Sequence, residues 1–181
     1  MKPAVFLDRD GTIIEDRGHL SSIGEVLLYP ETIMSLQKIQ KQFELFIVTH
    51  QPGVSRGLLT MNDVDKVNSY VFDVLRANSI SIRETYVCPH ERSERCCCIK
   101  PIPYFLLQAA DNYAIDLERS YVIGDHPHDV ELALNAGAKG IYVLTGHGEK
   151  HRDQLQKDTI VLKNIKEAAQ YIMRNMGDTI S

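Results

Sequence analysis

The sequence contains no tryptophan, no cysteine outside residues 88–98 and no apolar run of the length that a membrane helix needs. Met1-Lys2-Pro3 is followed by only four apolar residues before Asp8, which leaves no signal-peptide core. The cytosol is therefore the expected compartment, and a membrane partner is not expected. Basic residues are in the minority, 20 Lys and Arg against 24 Asp and Glu for a formal charge of −4, so no electrostatic case exists for nucleic acid as the main partner. No linker or internal repeat interrupts the 181 residues. The span 1–181 is expected to form a single domain, long enough to bury a core without disulfides.

What is present is an alternation of short apolar runs with helical patterns. Residues 4–7, 45–48, 121–123 and 140–144 read as buried strands. Helical stripes run through Ile33, Leu36, Ile39 and Phe43, then through Val64, Val67, Val71 and Leu75 behind the capping sequence Thr60-Met61-Asn62-Asp63. Three more follow: Leu106, Ala109, Ala110 and Tyr113; Val130, Ala133 and Leu134, stopped by Gly137; and Ile165, Ala168, Ala169 and Ile172. This order predicts an α/β fold, a three-layer, doubly wound parallel sheet of Rossmann-like type. Ligands then bind just past the carboxyl ends of strands.

Chemistry-bearing residues fall at those ends. The first run delivers Asp8 and Asp10, two residues apart, into Gly11-Thr12. Period-two alternation lets both carboxylates emerge on one side, and their repulsion favours a hard cation such as Mg2+ between them. Standing alone, the pair also fits a solvated strand-to-loop turn. The second run ends in Thr49, Lys100 is followed by Pro101 as a helix initiator, and Tyr121-Val122-Ile123-Gly124 ends in Asp125 with Asp129 four residues on.

The order DxDGT, Thr, Lys, GDxxxD resembles the haloacid dehalogenase superfamily of phosphohydrolases, over about Val5 to Gly148. The resemblance implies a phosphatase of a small phosphorylated metabolite. Asp8 is then the nucleophile and Asp10 the general acid and base. Mg2+ is held by Asp8, the Asp10 carbonyl and Asp125, with Asp129 supporting the metal shell or serving as an ordinary first-turn acid. Thr49 and Lys100 bind the transferring phosphoryl group. Neither large cap insertion of the superfamily is present, so the cap is minimal and loops must roof the site. Asp16 and His19 in one loop, and His50, Gln51 and Arg56 in another, are the candidates for contacting substrate, with His126 beside Asp125.

All four cysteines cluster with a histidine as Cys88-Pro89-His90, five intervening residues, then Cys96-Cys97-Cys98. In a reducing compartment this points to tetrahedral Zn2+, against the alternative of free thiols. A zinc loop of this form ending in Lys-Pro is similar to one subfamily, which contains D-glycero-D-manno-heptose 1,7-bisphosphate phosphatases and histidinol-phosphate phosphatases. Alternate facing and the subfamily pattern select Cys88, His90, Cys96 and Cys98 as ligands in a structural loop spanning 88–98.

Four positions depart from that subfamily: His50, Pro52, Ile99 in place of an arginine, and His126 in place of a lysine. The two lost cations predict weaker recognition of a second phosphate. The leading expectation is a sugar phosphate of the heptose (bis)phosphate type, with histidinol phosphate as the alternative substrate. A catalytically silent, zinc-stabilised binding domain is the alternative of another class, and the active form is expected to be a monomer.

Overall fold

The computed structural model describes residues 1–175, so the last six residues of the expected domain span, 176–181, lie outside the described residues. Six parallel strands form one sheet: β1 (Ala4–Leu7), β2 (Glu44–His50), β3 (Ile82–Cys88), β4 (Tyr121–Gly124), β5 (Lys139–Val143) and β6 (Ile160–Leu162). Their order across the sheet is β3-β2-β1-β4-β5-β6, the doubly wound arrangement expected from the alternating pattern. Four helices connect successive strands, α1 (Thr32–Ile39), α2 (Met61–Ala77), α3 (Tyr104–Tyr113) and α4 (Pro127–Asn135), and α5 (Ile165–Asn175) follows β6.

Side chains alternate across the sheet and build two cores. On one face Val5, Leu7, Leu45, Ile47, Ile123 and Ile141 pack against α1, α2 and α5 through Leu36, Val67, Val71, Ala168 and Ile172. On the other, Phe6, Phe46, Val48, Tyr86 and Val122 meet Leu106 and Ala109 of α3 and Leu132 and Ala133 of α4. Phe46 is the centre of that second layer, with its ring 5.0 Å from Phe6 and 6.2 Å from Tyr86. These two faces are the outer layers of the expected three-layer fold.

Four local expectations are corrected. Helix α3 begins at Tyr104 with Pro103 at its N-cap, so Pro101 does not start it. Helix α1 ends at Ile39, and Phe43 is buried from the turn that follows. Leu134, expected on the apolar stripe of α4, is 53% exposed, because Leu132 takes the inward position. Strands β3 and β6 have no counterpart among the expected runs: each forms an edge of the sheet, and β3 carries half-buried or exposed Arg83, Glu84 and Thr85.

No helix among the described residues is long and apolar enough to cross a membrane. The long β1–α1 connection folds back over the strand ends by pairing Ile14 with both Asp10 and Leu28. It is the short roof that the missing cap required.

Candidate active site

Neighbouring β1 and β4 carry Asp8 and Asp125 out of the sheet side by side, with Leu7 opposite Ile123 and the Asp8 N–H donating to the Ile123 carbonyl at 2.9 Å. This is the switch point, where the connections leave in opposite directions and open a crevice. The crevice holds a cavity of about 310 Å3. Gly11 makes the turn: its φ is +85°, and a side chain there would run into the Asp125 carboxylate. Gly124 is required for the same reason against Asp129.

Lys100 reaches this point from the end of the zinc loop. Its ammonium lies 2.6 Å from Asp8 Oδ1 and 2.7 Å from Asp129 Oδ1. Burial opposes its charge, but the Asp129 and Asp8 carboxylates outweigh that and hold its pKa above the usual lysine range. Asp129 does two jobs, because its Oδ2 accepts the His126 N–H at 3.1 Å and caps α4.

Asp10 is oriented by three residues. Its Oδ2 accepts Arg9 Nε at 3.0 Å, Arg9 Nη2 at 2.8 Å and Gln51 Nε2 at 2.8 Å, while the Thr49 hydroxyl lies at 3.4 Å. Arg9 is itself held by Asn68 of α2 and is only 1% exposed. Asp10 Oδ1 is buried with no hydrogen-bond partner among the described residues, which leaves it available to a bound group.

The donor set fits Mg2+. Asp8, Asp125 and Asp129 share one ammonium, so negative charge is in excess. Burial, only partly offset by Lys100, pushes Asp8 up to about 7; burial and the neighbouring Asp8 and Asp129 charges push Asp125 up to about 8. A hard divalent cation between Asp8 and Asp125 relieves both effects. Asp125 is aimed by the loop Thr145-Gly146-His147, whose His147 N–H donates to Asp125 Oδ2 at 2.7 Å.

Cys88, His90, Cys96 and Cys98 place their ligand atoms within 4.8 Å of one another. Sulfur separations of 3.7 Å (Cys88 to Cys96) and 3.8 Å (Cys98 to Cys96) match the ~3.8 Å edge of a tetrahedron with ~2.3 Å zinc–sulfur bonds. The cluster can hold Zn2+, and Cys97 is exposed outside it.

A family model described as HAD-hydrolase-like matches residues 97–168. The D-glycero-beta-D-manno-heptose-1,7-bisphosphate 7-phosphatase of Helicobacter pylori J99 is 36% identical over 172 residues, covering 93% of this chain and 96% of the relative. The chain belongs to the haloacid dehalogenase-like phosphatases. The enzyme of the same name from Escherichia coli K12 is 34% identical over 154 residues, 80% of each chain. A crystal structure of D,D-heptose 1,7-bisphosphate phosphatase from B. bronchiseptica, complexed with magnesium and phosphate, superposes with a TM-score of 0.87 at 26% identity, covering 97% of this chain and 99% of that one.

In this haloacid dehalogenase-like phosphatase the cavity is lined by Asp8, Asp10, Asp16, His19, Thr49, His50, Gln51, Lys100, Asp125, His126 and Asp129, all singled out in the sequence. Arg56 is not among the lining residues; it pairs with Glu91 and is 52% exposed along its side chain. Two lining residues are occupied differently from the expectation of substrate contacts. The Gln51 amide bonds Asp10 and Thr49, and His50 Nε2 lies 2.7 Å from the His90 carbonyl, tying β2 to the zinc loop. Burial lowers the pKa of His50, and burial with the His128 charge lowers that of His126 to about 4. Ile99 is buried and does not line the cavity.

Sequence reasoning missed Arg9, Arg92 and His128. Arg9 stands between the two motif aspartates, and its burial follows from a tertiary contact with Asn68. Arg92 lies inside the zinc loop and meets His128 Nδ1 at 2.9 Å; a cation between two pairs of metal ligands was the available signal.

Proposed function

We propose that this phosphatase hydrolyses a sugar phosphate of the heptose 1,7-bisphosphate type through a phosphoaspartate on Asp8. One arrangement carries the reading: Asp8 is fixed by Lys100, and Asp10, which lines the same cavity, keeps a buried Oδ1 with no hydrogen-bond partner among the described residues. The Asp8 oxygen not held by Lys100 attacks phosphorus, and the bond to the ester oxygen breaks as Asp10 donates a proton to that oxygen. Asp10 then takes a proton from water, the water oxygen bonds to phosphorus, and Asp8 leaves with the electron pair of its bond. Gln51 and Arg9 keep Asp10 aimed through both steps.

Lys100 has three N–H donors, two engaged by Asp8 and Asp129, so the third serves an equatorial phosphoryl oxygen. The Thr49 hydroxyl accepts from Gln51 and donates to Asp10 Oδ2 over a long 3.4 Å, a bond it would exchange for a second phosphoryl oxygen. Asp8, Asp125 and the Asp10 carbonyl would hold Mg2+, which when bound neutralises phosphoryl charge that two aspartates would otherwise repel. Asp129 positions Lys100. Asp16, His19 and His126 line the same cavity and are the residues this reading sets against the leaving group.

The names of both curated relatives favour the heptose substrate over histidinol phosphate. The site is completed within one chain, which supports a single domain over 1–181 acting as a monomer. Cysteines grouped as metal ligands support a reducing cytosolic location. Phosphate release across heptose 1,7-bisphosphate, histidinol phosphate and a generic aryl phosphate, with and without Mg2+, tests the reading. Mg2+-dependent turnover with preference for the heptose ester is expected. Preference for histidinol phosphate overturns the substrate, and turnover undiminished in folded Asp8→Asn overturns the mechanism.

A further inference from the structure

Two cavity-lining cations, Lys100 and Arg92, face opposite circumstances. Lys100 is held between two carboxylates, whereas Arg92 has no acidic partner among the described residues. Arg9 pairs with Asp10, Arg17 with Glu15 and Arg76 with Asp73, and among the described residues Arg92 is the arginine that lines the cavity. The two acids nearest Arg92 in its own loop are engaged elsewhere, Glu91 with Arg56, and Glu94 with Ser55 Oγ at 2.6 Å.

Arg92 is nevertheless anchored. Nη1 donates to the Lys100 carbonyl at 3.4 Å and Nη2 meets His128 Nδ1 at 2.9 Å, so the guanidinium is braced between the catalytic lysine's main chain and the first turn of α4. The loop that carries it is fixed on either side by the metal-ligand positions His90 and Cys96. Of the five N–H donors of a guanidinium, three remain without a partner among the described residues. A braced, uncompensated fork at a cavity wall matches the paired oxygens of a phosphate group.

We propose that Arg92 binds a second phosphate of the substrate, distal to the one transferred, and so sets the preference for a bisphosphate over a monophosphate. This rests on the phosphatase reading and adds a specificity residue to it. A free bidentate contact replaces the cation that Ile99 does not supply. Its loss is on the order of a tenfold or greater weakening for the ligand that uses it.

The test is a ratio. Calorimetric binding of heptose 1,7-bisphosphate and heptose 7-phosphate is measured in an Asp10→Asn background, where turnover does not interfere, with Arg92 intact, Arg92→Ala and Arg92→Lys. The bisphosphate-to-monophosphate affinity ratio is expected to fall roughly tenfold or more in Arg92→Ala and to recover in part in Arg92→Lys. An unchanged ratio in folded Arg92→Ala overturns the proposal, as does an equal loss of affinity for both ligands. Failure of the phosphatase reading would show instead as Asp8-independent turnover, a measurement that this ratio does not touch.

Discussion

Asp129 Oδ1 holds the Lys100 ammonium at 2.7 Å while the other oxygen of the same carboxylate caps the helix that carries it. Helix start and the Lys100 ammonium are therefore fixed by one side chain. Asp129→Asn keeps a cap acceptor but removes the charge that Lys100 faces. We expect kcat to drop by roughly ten- to a hundredfold, the range for a group that supports a reactive centre, with little change in thermal stability. Steady-state kinetics beside a melting curve decide it; equal kcat values would mean that Asp8 alone positions Lys100.

Gln51 is expected to act through Asp10 rather than through the substrate. Removing its amide in Gln51→Ala leaves Asp10 Oδ2 with the Arg9 fork but frees the carboxylate to tilt. A fall in kcat of about tenfold with KM nearly constant is the expected split. A rise in KM with kcat unchanged would return Gln51 to the role of a substrate ligand.

About one zinc per chain is expected by metal analysis, retained in Cys97→Ser and lost in Cys98→Ser. Because His50 ties β2 to the His90 carbonyl, chelation should also reduce activity by loosening the wall next to Thr49. Retention of zinc in Cys98→Ser with loss in Cys97→Ser would move the ligand set.

Phe46→Ala tests the second core without touching the site. The ring is fully buried among Phe6, Tyr86 and Tyr113, so its removal should cost about 3–5 kcal/mol in urea unfolding. A cost below about 1 kcal/mol would mean that the layer repacks around the void.

The central strands were legible because parallel strands buried on both faces become continuous apolar runs, as in Ala4–Leu7. The edge strand β3 was not, since Arg83 and Glu84 have solvent beside them and break the run. Asp8, Asp10, Thr49, Lys100 and Asp125 were legible as a set because each lies at or just past the end of a strand or of the zinc loop. What remained hidden depends on contacts between distant segments. Gln51 meets Asp10 across 41 residues and Arg92 meets His128 across 36, and neither separation leaves a mark on local pattern.

The enclosure of Asp125 bears on ion choice. One of its oxygens already accepts the His147 N–H, and the backbone at Gly11 and Gly146 closes against the carboxylate. With the proposed metal at this position, Asp125 would meet it through the oxygen that the His147 N–H leaves free. Ca2+ takes six to eight ligands with carboxylates in one- or two-oxygen modes, whereas Mg2+ accepts one oxygen per carboxylate in a compact octahedron. The glycines that make room for Asp125 thus also set which of its oxygens faces the ion, and that one-oxygen mode suits the compact octahedron of Mg2+.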